Sequence, residues 1–182
     1  MSSAAFDRRA LMRGVLALAG VAGTGLAAPA FAEVAASGRY FTPARRAVLE
    51  QLSAAVIPQT DTPGAKEAGV PDFIDGLAAN WASPETKAMF DGALDAVDAG
   101  SREKAGKGLA ELSPADLDVV VAAYDAEAYA RGDWPYRRLK ELIVTSYYTS
   151  EAGATQELRY ELAPGVWEAS IPADANTRCW AV

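Results

Sequence analysis

A hydroxyl residue followed directly by proline occurs three times in this chain, at Thr42-Pro43, Ser83-Pro84 and Ser113-Pro114. At a helix start the hydroxyl oxygen accepts a hydrogen bond from a backbone N–H group that lacks a partner within the helix. Proline has no N–H group to leave unpaired. Each pair therefore predicts the first turn of an α-helix. Three helix starts constrain the fold more than any other feature of this sequence.

Apolar residues follow each pair at helical spacing. They are Val48, Leu49, Leu52, Ala55 and Val56 after the first pair, Met89, Ala93, Leu94 and Val97 after the second, and Leu117, Val120, Val121, Tyr124 and Ala128 after the third. The three helices are predicted to end at Pro58, Gly100 and Gly132. One apolar stripe per helix is typical of helices that pack around a shared core.

Two more helices and an irregular end complete the predicted fold. The inward residues of a fourth helix, from Pro71, are Phe73, Ile74, Leu77 and Trp81, and those of a fifth, from about Pro135 to Tyr148, are Leu139, Leu142, Ile143 and Ser146 or Tyr147. Residues 101–112 add a short helix, and residues 158–171 alternate around Pro164-Gly165 like a β-ribbon. We therefore expect a mainly α-helical domain of about five to six helices with an irregular C-terminal segment or short β-ribbon.

The first 32 residues read as an export signal ahead of one domain, residues 33–182. Arg8 and Arg9 begin the stretch "RRALMRGVLALAGVAGTGLAAPAFA", which resembles a twin-arginine leader, and Ala30-Phe31-Ala32 forms an A-x-A cleavage site. An ordinary secretory signal or an uncleaved anchor is the alternative. The chain has a net charge of −7, and removal of the leader's +2 leaves −9. That charge disfavours binding to nucleic acid or to anionic lipid.

The composition excludes most metal and cofactor chemistry. The chain has no histidine and one cysteine, Cys179, so it has no Ser-His-Asp triad, no CxxC metal motif and no CxxCH haem attachment. It also lacks a nucleotide-binding glycine loop. We expect this chain to bind no metal or cofactor of its own, and the groups that remain for unaided catalysis are carboxylates, tyrosines and lysines.

Two segments of the chain resemble a known family. "LSAAVIPQTDTPGAKEAGVPDFID" (residues 52–75) and "LKELIVTSYYTSEAGATQELRYELAPG" (residues 139–165) are similar to the small, or gamma, subunit of gluconate 2-dehydrogenase, also called subunit 3. The family includes small subunits of related bacterial FAD-dependent sugar dehydrogenases. The resemblance extends from about Phe41 to Pro172.

The resemblance implies a non-catalytic role beside a large flavoprotein of the glucose–methanol–choline oxidoreductase type. That partner would hold FAD and oxidise a sugar, sugar acid or polyol. The small subunit would support its folding, stability and twin-arginine export, so both chains would be periplasmic at the outer face of the inner membrane. Some such complexes include a cytochrome c subunit with haem c, and membrane association would come only through partners.

Six residues are candidates for the surface that meets this partner: Tyr147, Tyr148, Tyr160, Trp167, Cys179 and Trp180. Aromatic side chains bury a large area and can still form hydrogen bonds at an interface rim. They serve equally well in the domain's own core. The odd cysteine predicts either a shielded thiol under a docked tail or a disulfide to the partner.

Two other functions compete with this reading. Glu151 and Glu157 would be the acid and base of a glycoside hydrolase, although 24 acidic residues make such pairs common by chance. A free-standing periplasmic sugar-binding module would use Trp81, Trp134 or Trp167 as a stacking platform, provided that polar groups converge beside it.

Overall fold

A computed structural model describes residues 38–161, 165, 170, 172–174 and 177–181. The described part contains the helices α1 (Pro43–Val56), α2 (Val70–Asn80), α3 (Pro84–Ala105), α4 (Pro114–Ala130) and α5 (Trp134–Tyr148), together with a 3-10 turn at Leu109–Glu111 and a π-helical turn at Gly153–Glu157. The mainly helical prediction is confirmed. None of the helices in this part combines the length and apolar character needed to cross a membrane.

The three hydroxyl–proline pairs begin α1, α3 and α4. The side chains of Thr42, Ser83 and Ser113 each accept a hydrogen bond from the backbone N–H group three residues later. Asp133 does the same for α5 by accepting from the N–H group of Tyr136. Helix starts are local features, because one side chain and its own backbone supply both partners of the bond.

Helix α5 occupies the middle of the domain and packs against α1, α2, α3 and α4. Its inner face contributes Tyr136, Leu139, Ile143 and Tyr147, all of which are buried. Leu49 and Leu52 of α1, Ile74 of α2, Leu94 and Val97 of α3, and Leu117, Val120 and Val121 of α4 are also buried. One contiguous apolar core therefore joins all five helices.

A buried carboxylate fixes the segment that precedes α1. Asp75 of α2 is 1% exposed, and its Oδ1 atom accepts hydrogen bonds from the backbone N–H groups of Tyr40 (2.7 Å) and Phe41 (2.9 Å). Its Oδ2 atom lies 3.1 Å from the guanidinium group of Arg46. The paired charge and the bonded backbone satisfy a group that would otherwise be costly to bury. These bonds therefore hold Tyr40 and Phe41, just before α1, against α2.

The predicted end of α3 at Gly100, and with it the separate helix over residues 101–112, is wrong for reasons of tertiary packing. Helix α3 continues through Gly100 and ends before Gly106, whose φ of 70° is left-handed. Residues 101–112 thus form the last turn of α3 and a separate 3-10 turn. A Cβ atom at Gly100 would lie 2.6 Å from the ring of Tyr124. This glycine therefore allows α4 to approach α3 and does not stop the helix.

Trp81 was predicted to face inward, but its side chain is 79% exposed. Helix α2 ends at Asn80, so Trp81 lies in the turn that leads to α3. The helical spacing that places Ile74 in the core no longer applies after that last turn. Its exposure makes Trp81 a surface residue.

Candidate functional site

The segment between α1 and α2, residues 57–69, folds back on itself. The N–H group of Ala65 donates to the carbonyl oxygen of Ile57 (2.9 Å), and the N–H group of Val70 donates to that of Ala65 (3.1 Å). A Cβ atom on Gly64 would lie 2.6 Å from the backbone nitrogen of Gln59. The sequence alone is also compatible with a solvated connection, but Gly64 and Ala65 are buried. The close backbone approach therefore requires glycine at position 64.

The segment after α5 turns just as sharply. The hydroxyl group of buried Ser150 donates to the carbonyl oxygen of Tyr147 (2.6 Å) and accepts from the N–H group of Gly153 (3.1 Å). A Cβ atom on Gly153 would collide with the same Tyr147 carbonyl group. The π-helical turn then closes with a bond from the N–H group of Leu158 to the Gly153 carbonyl oxygen (2.8 Å). Only glycine fits at position 153.

The two segments bind to each other. The hydroxyl group of Tyr147 donates to the carbonyl oxygen of Pro63 at 2.8 Å, and the hydroxyl group of Thr62 donates to the carboxylate of Glu157 at 2.8 Å. Burial raises the pKa of Tyr147, and the charge of Glu157 adds to this effect. The phenol therefore stays protonated and remains a donor. We call the region formed by residues 57–69 and 147–161 the junction.

The C-terminal tail docks on the junction. The N–H group of Arg159 donates to the Cys179 carbonyl oxygen (2.7 Å), and the N–H group of Ala181 donates to the Arg159 carbonyl oxygen (3.0 Å). These two bonds form a parallel β-bridge between Arg159 and Trp180. The guanidinium group of Arg159 also lies 4.1 Å from the centre of the Trp180 ring, a cation–π contact.

The candidate interface residues have different environments. Tyr147 is 1% exposed and is a core residue, so its assignment to a partner surface is corrected. By contrast, Tyr148 is 39% exposed, Tyr160 54% and Trp180 38%. Tyr148 leans on Tyr147 edge to face, with 5.2 Å between ring centres. The junction and the tail docked on it therefore carry three partly exposed aromatic side chains.

The tail departs from one of the two predicted arrangements. Cys179 is exposed as a free thiol, and so is not shielded beneath the tail. Trp180 lies on the guanidinium group of Arg159. Most of the predicted ribbon, residues 158–171 around Pro164-Gly165, lies outside the described residues, and the bridge from Arg159 to Trp180 is a different pairing. Trp167, Arg8, Arg9, Ala30 and Ala32 also lie outside the described residues.

The two glutamates of the competing hydrolase function, Glu151 and Glu157, have different environments. Glu157 is bonded to Thr62, whereas Glu151 is exposed. Trp134, which is 61% exposed, lies in a groove of about 680 Å³ between the N-terminal halves of α3 and α5. The described residues contain no group of three or more acidic or cysteine side chains placed to hold a metal ion.

Four residues that build the junction were not singled out from the sequence: Thr62, Gly64, Ser150 and Gly153. Both glycines stand inside the two segments that carry the family resemblance, next to small residues. A glycine that needs no positive φ still signals a close backbone approach. Both glycines are visible in the sequence, but the backbone atoms that they approach belong to other turns of the chain.

A family model described as "Gluconate 2-dehydrogenase subunit 3" matches residues 43–165. The match covers about two thirds of the 182 residues. It includes the five described helices and the junction but not the docked tail. No curated protein and no solved structure matched the chain.

Proposed function

This chain belongs to the gluconate 2-dehydrogenase subunit 3 family, and we propose that it is the non-catalytic small subunit of an exported sugar dehydrogenase complex. Its partner is a large flavoprotein of the glucose–methanol–choline type, which holds FAD and oxidises a sugar, sugar acid or polyol. A cytochrome c subunit with haem c would complete complexes that pass electrons to the membrane. The small subunit supports the folding, stability and export of the flavoprotein.

The observation that carries this proposal is the pairing of the two family segments with each other. Their polar side chains are used between the segments, in the bonds from Tyr147 to Pro63 and from Thr62 to Glu157. Their glycines allow backbone contact and do not line an open cavity. A pair of segments arranged in this way forms a scaffold more readily than a catalytic loop.

The scaffold presents aromatic rings that suit a protein partner. Tyr148, Tyr160 and Trp180 are each partly exposed, and Tyr148 and Trp180 also contact Tyr147 and Arg159 of the junction. Amphipathic rings of this kind are enriched in protein–protein interfaces. In the complex they would be covered by the flavoprotein, which removes apolar surface from water.

Tyr160→Ala tests this surface directly. Because Tyr160 is 54% exposed, we expect the variant to fold with little loss of stability, yet to lose much of its binding to the co-expressed flavoprotein. Val119→Ala on α4, another exposed apolar position, is the control and should bind normally. Affinity capture followed by flavin absorbance measures the bound partner. Capture of equal flavin by Tyr160→Ala and the wild type would contradict an interface role for Tyr160.

Activity provides an independent test. We expect the purified small subunit alone to show no turnover of sugar with an artificial electron acceptor. The co-purified pair should show turnover and a flavin spectrum. Turnover by the single chain, with no flavin present, would refute the proposal.

The leader is proposed to carry both chains to the periplasm in a folded state. Removal after Ala32 would give a mature chain that begins at Glu33, which N-terminal sequencing of periplasmic protein can check. Replacing Arg8 and Arg9 together with lysine should retain both this chain and the flavoprotein in the cytoplasm. If the flavoprotein still reached the periplasm, export through a shared leader would be wrong.

The groove beside Trp134 supports a second candidate, a periplasmic sugar-binding module. The groove places an exposed indole near Glu85, Arg138 and Glu141, and sugar sites commonly combine an aromatic ring with a few polar groups. Titration calorimetry with glucose and gluconate decides between the two functions. Saturable binding by the isolated chain that is lost in Trp134→Ala would favour this alternative.

A further inference from the structure

The outer face of α5 carries a continuous exposed stripe. Its members are Trp134, Arg138, Glu141, Thr145 and Tyr148, and each of them is exposed. At 100° per residue these five positions fall within about 80° of arc around the helix. Among the described residues, α5 packs against α1, α2, α3 and α4, and its buried side chains lie on the opposite face, so this stripe is the solvent side of the helix in the middle of the domain.

The stripe is aromatic at both ends and electrically neutral in the middle. Tyr148 is also part of the junction, whereas Trp134 lies about 20 Å away at the other end of the 15-residue helix, as expected from 1.5 Å per residue. Between them, Arg138 and Glu141 form an ion pair with each other at 2.7 Å. Beside Trp134, the groove adds the partly exposed side chain of Met89 and the edge of Leu142.

The exposed rings of the junction and of the docked tail are too small to form a stable interface by themselves. An aromatic side chain buries about 150–250 Å² when fully covered, so the exposed fractions of Tyr148, Tyr160 and Trp180 leave roughly 200–330 Å² among them. A stable complex buries about 800 Å² on each partner. Additional contact surface is therefore needed, and the α5 stripe is contiguous with the junction through Tyr148.

We propose that the flavoprotein subunit covers the α5 stripe from Tyr148 to Trp134 and seats an apolar side chain in the groove beside Trp134. The inference rests on the proposed function, since it names the surface through which the partner binds. A neutral stripe with aromatic ends suits an apolar partner surface and does not suit a polyanion or a charged membrane. Contact along α5 would also place the partner against the helix that supports the entire core.

A charge placed in the middle of the stripe tests this surface. Thr145→Glu puts an unpaired carboxylate where the partner would exclude water, so we expect at least a tenfold weaker affinity for the flavoprotein. Val119→Glu is the matched control, because Val119 is exposed on α4 and receives the same charge. Far-ultraviolet circular dichroism of both variants verifies the helical fold. Affinity is measured by titrating labelled small subunit with purified flavoprotein.

Trp134→Ala is a second variant that does not depend on an added charge. It removes a side chain that is 61% exposed, so folding should be retained, and we expect about a tenfold loss of affinity if the ring is an interface anchor. Hydroxyl-radical footprinting of the wild-type complex should show Trp134 and Tyr148 protected together.

The outcomes separate this inference from the proposed function. If the wild type binds the flavoprotein but Thr145→Glu and Trp134→Ala bind as tightly as Val119→Glu, the α5 surface is wrong and the subunit role stands. If the wild type does not bind at all, the proposed function fails, and this inference fails with it. Weakened binding by both α5 variants, with the control unchanged, supports the α5 surface.

Discussion

Replacement of Gly153 by alanine should destabilise the domain through a collision between backbone atoms. The new Cβ atom would overlap the carbonyl oxygen of Tyr147 and lie 2.8 Å from its carbonyl carbon. A flexible side chain could rotate away, but a carbonyl group at the end of α5 cannot do so without moving the helix. The shift would also strain the bonds that Ser150 makes to Tyr147 and Gly153.

The size of the effect follows from two opposing contributions. Forcing an extra carbon atom into a closely packed site costs about 1–3 kcal/mol, occasionally more. Replacing glycine with alanine stabilises the protein by about 0.4–1 kcal/mol where the new residue fits, because the unfolded chain loses conformational freedom. Gly153 lies in a sterically closed site, so we expect a net loss of about 1–2 kcal/mol, which corresponds to roughly 2–8 °C in melting temperature for a domain of this size.

Gly92→Ala is the matched control for this prediction. Gly92 lies within α3, and a Cβ atom there would meet no other atom within 4 Å. The same substitution should therefore raise the stability by about 0.5–1 kcal/mol. Urea unfolding followed by circular dichroism measures both variants against the wild type. If Gly153→Ala proved as stable as Gly92→Ala, the close packing of the junction would be refuted.

Three further predictions concern the tyrosines and the cysteine. Tyr147→Phe leaves the partly buried Pro63 carbonyl group without its donor and should cost about 0.5–1.5 kcal/mol in urea unfolding; Tyr148→Phe is the exposed control, and equal effects of the two would contradict the role of this bond. Burial, followed by a hydrogen bond to Asp125, raises the pKa of Tyr136. The protonated phenol of Tyr136 should therefore contribute fully to stability below pH about 10, the ordinary pKa of tyrosine, and this contribution should decrease at higher pH. Between pH 9 and pH 11 the free energy of unfolding of Tyr136→Phe should decrease less than that of the wild type, and an equal decrease would be evidence against the role of Tyr136 in the pH dependence. The exposed thiol of Cys179 should form a disulfide to the flavoprotein; a band at the summed mass on a non-reducing gel, lost in Cys179→Ser, would establish it, whereas separate bands in samples blocked at lysis would exclude it.

The sequence by itself determined where three of the five described helices begin. Thr42, Ser83 and Ser113 bond to N–H groups only three residues away, so the whole interaction is contained in the local sequence. Helical spacing likewise placed Leu49, Leu52 and Leu94 in the core, because one apolar face must be buried. Helix ends were less predictable: the role of Gly100 depends on Tyr124, which belongs to another helix.

The sequence also supplied the two family segments, but only the tertiary structure decided what they do. The bond from Tyr147 to Pro63 joins residues 84 positions apart, and the bond from Thr62 to Glu157 joins residues 95 positions apart. Tyr147 and Tyr148 are adjacent residues of the same type, yet one is buried and the other is partly exposed. Aromatic rings are used in cores and in interfaces alike, so only the packing of α5 against its neighbours distinguishes the two tyrosines.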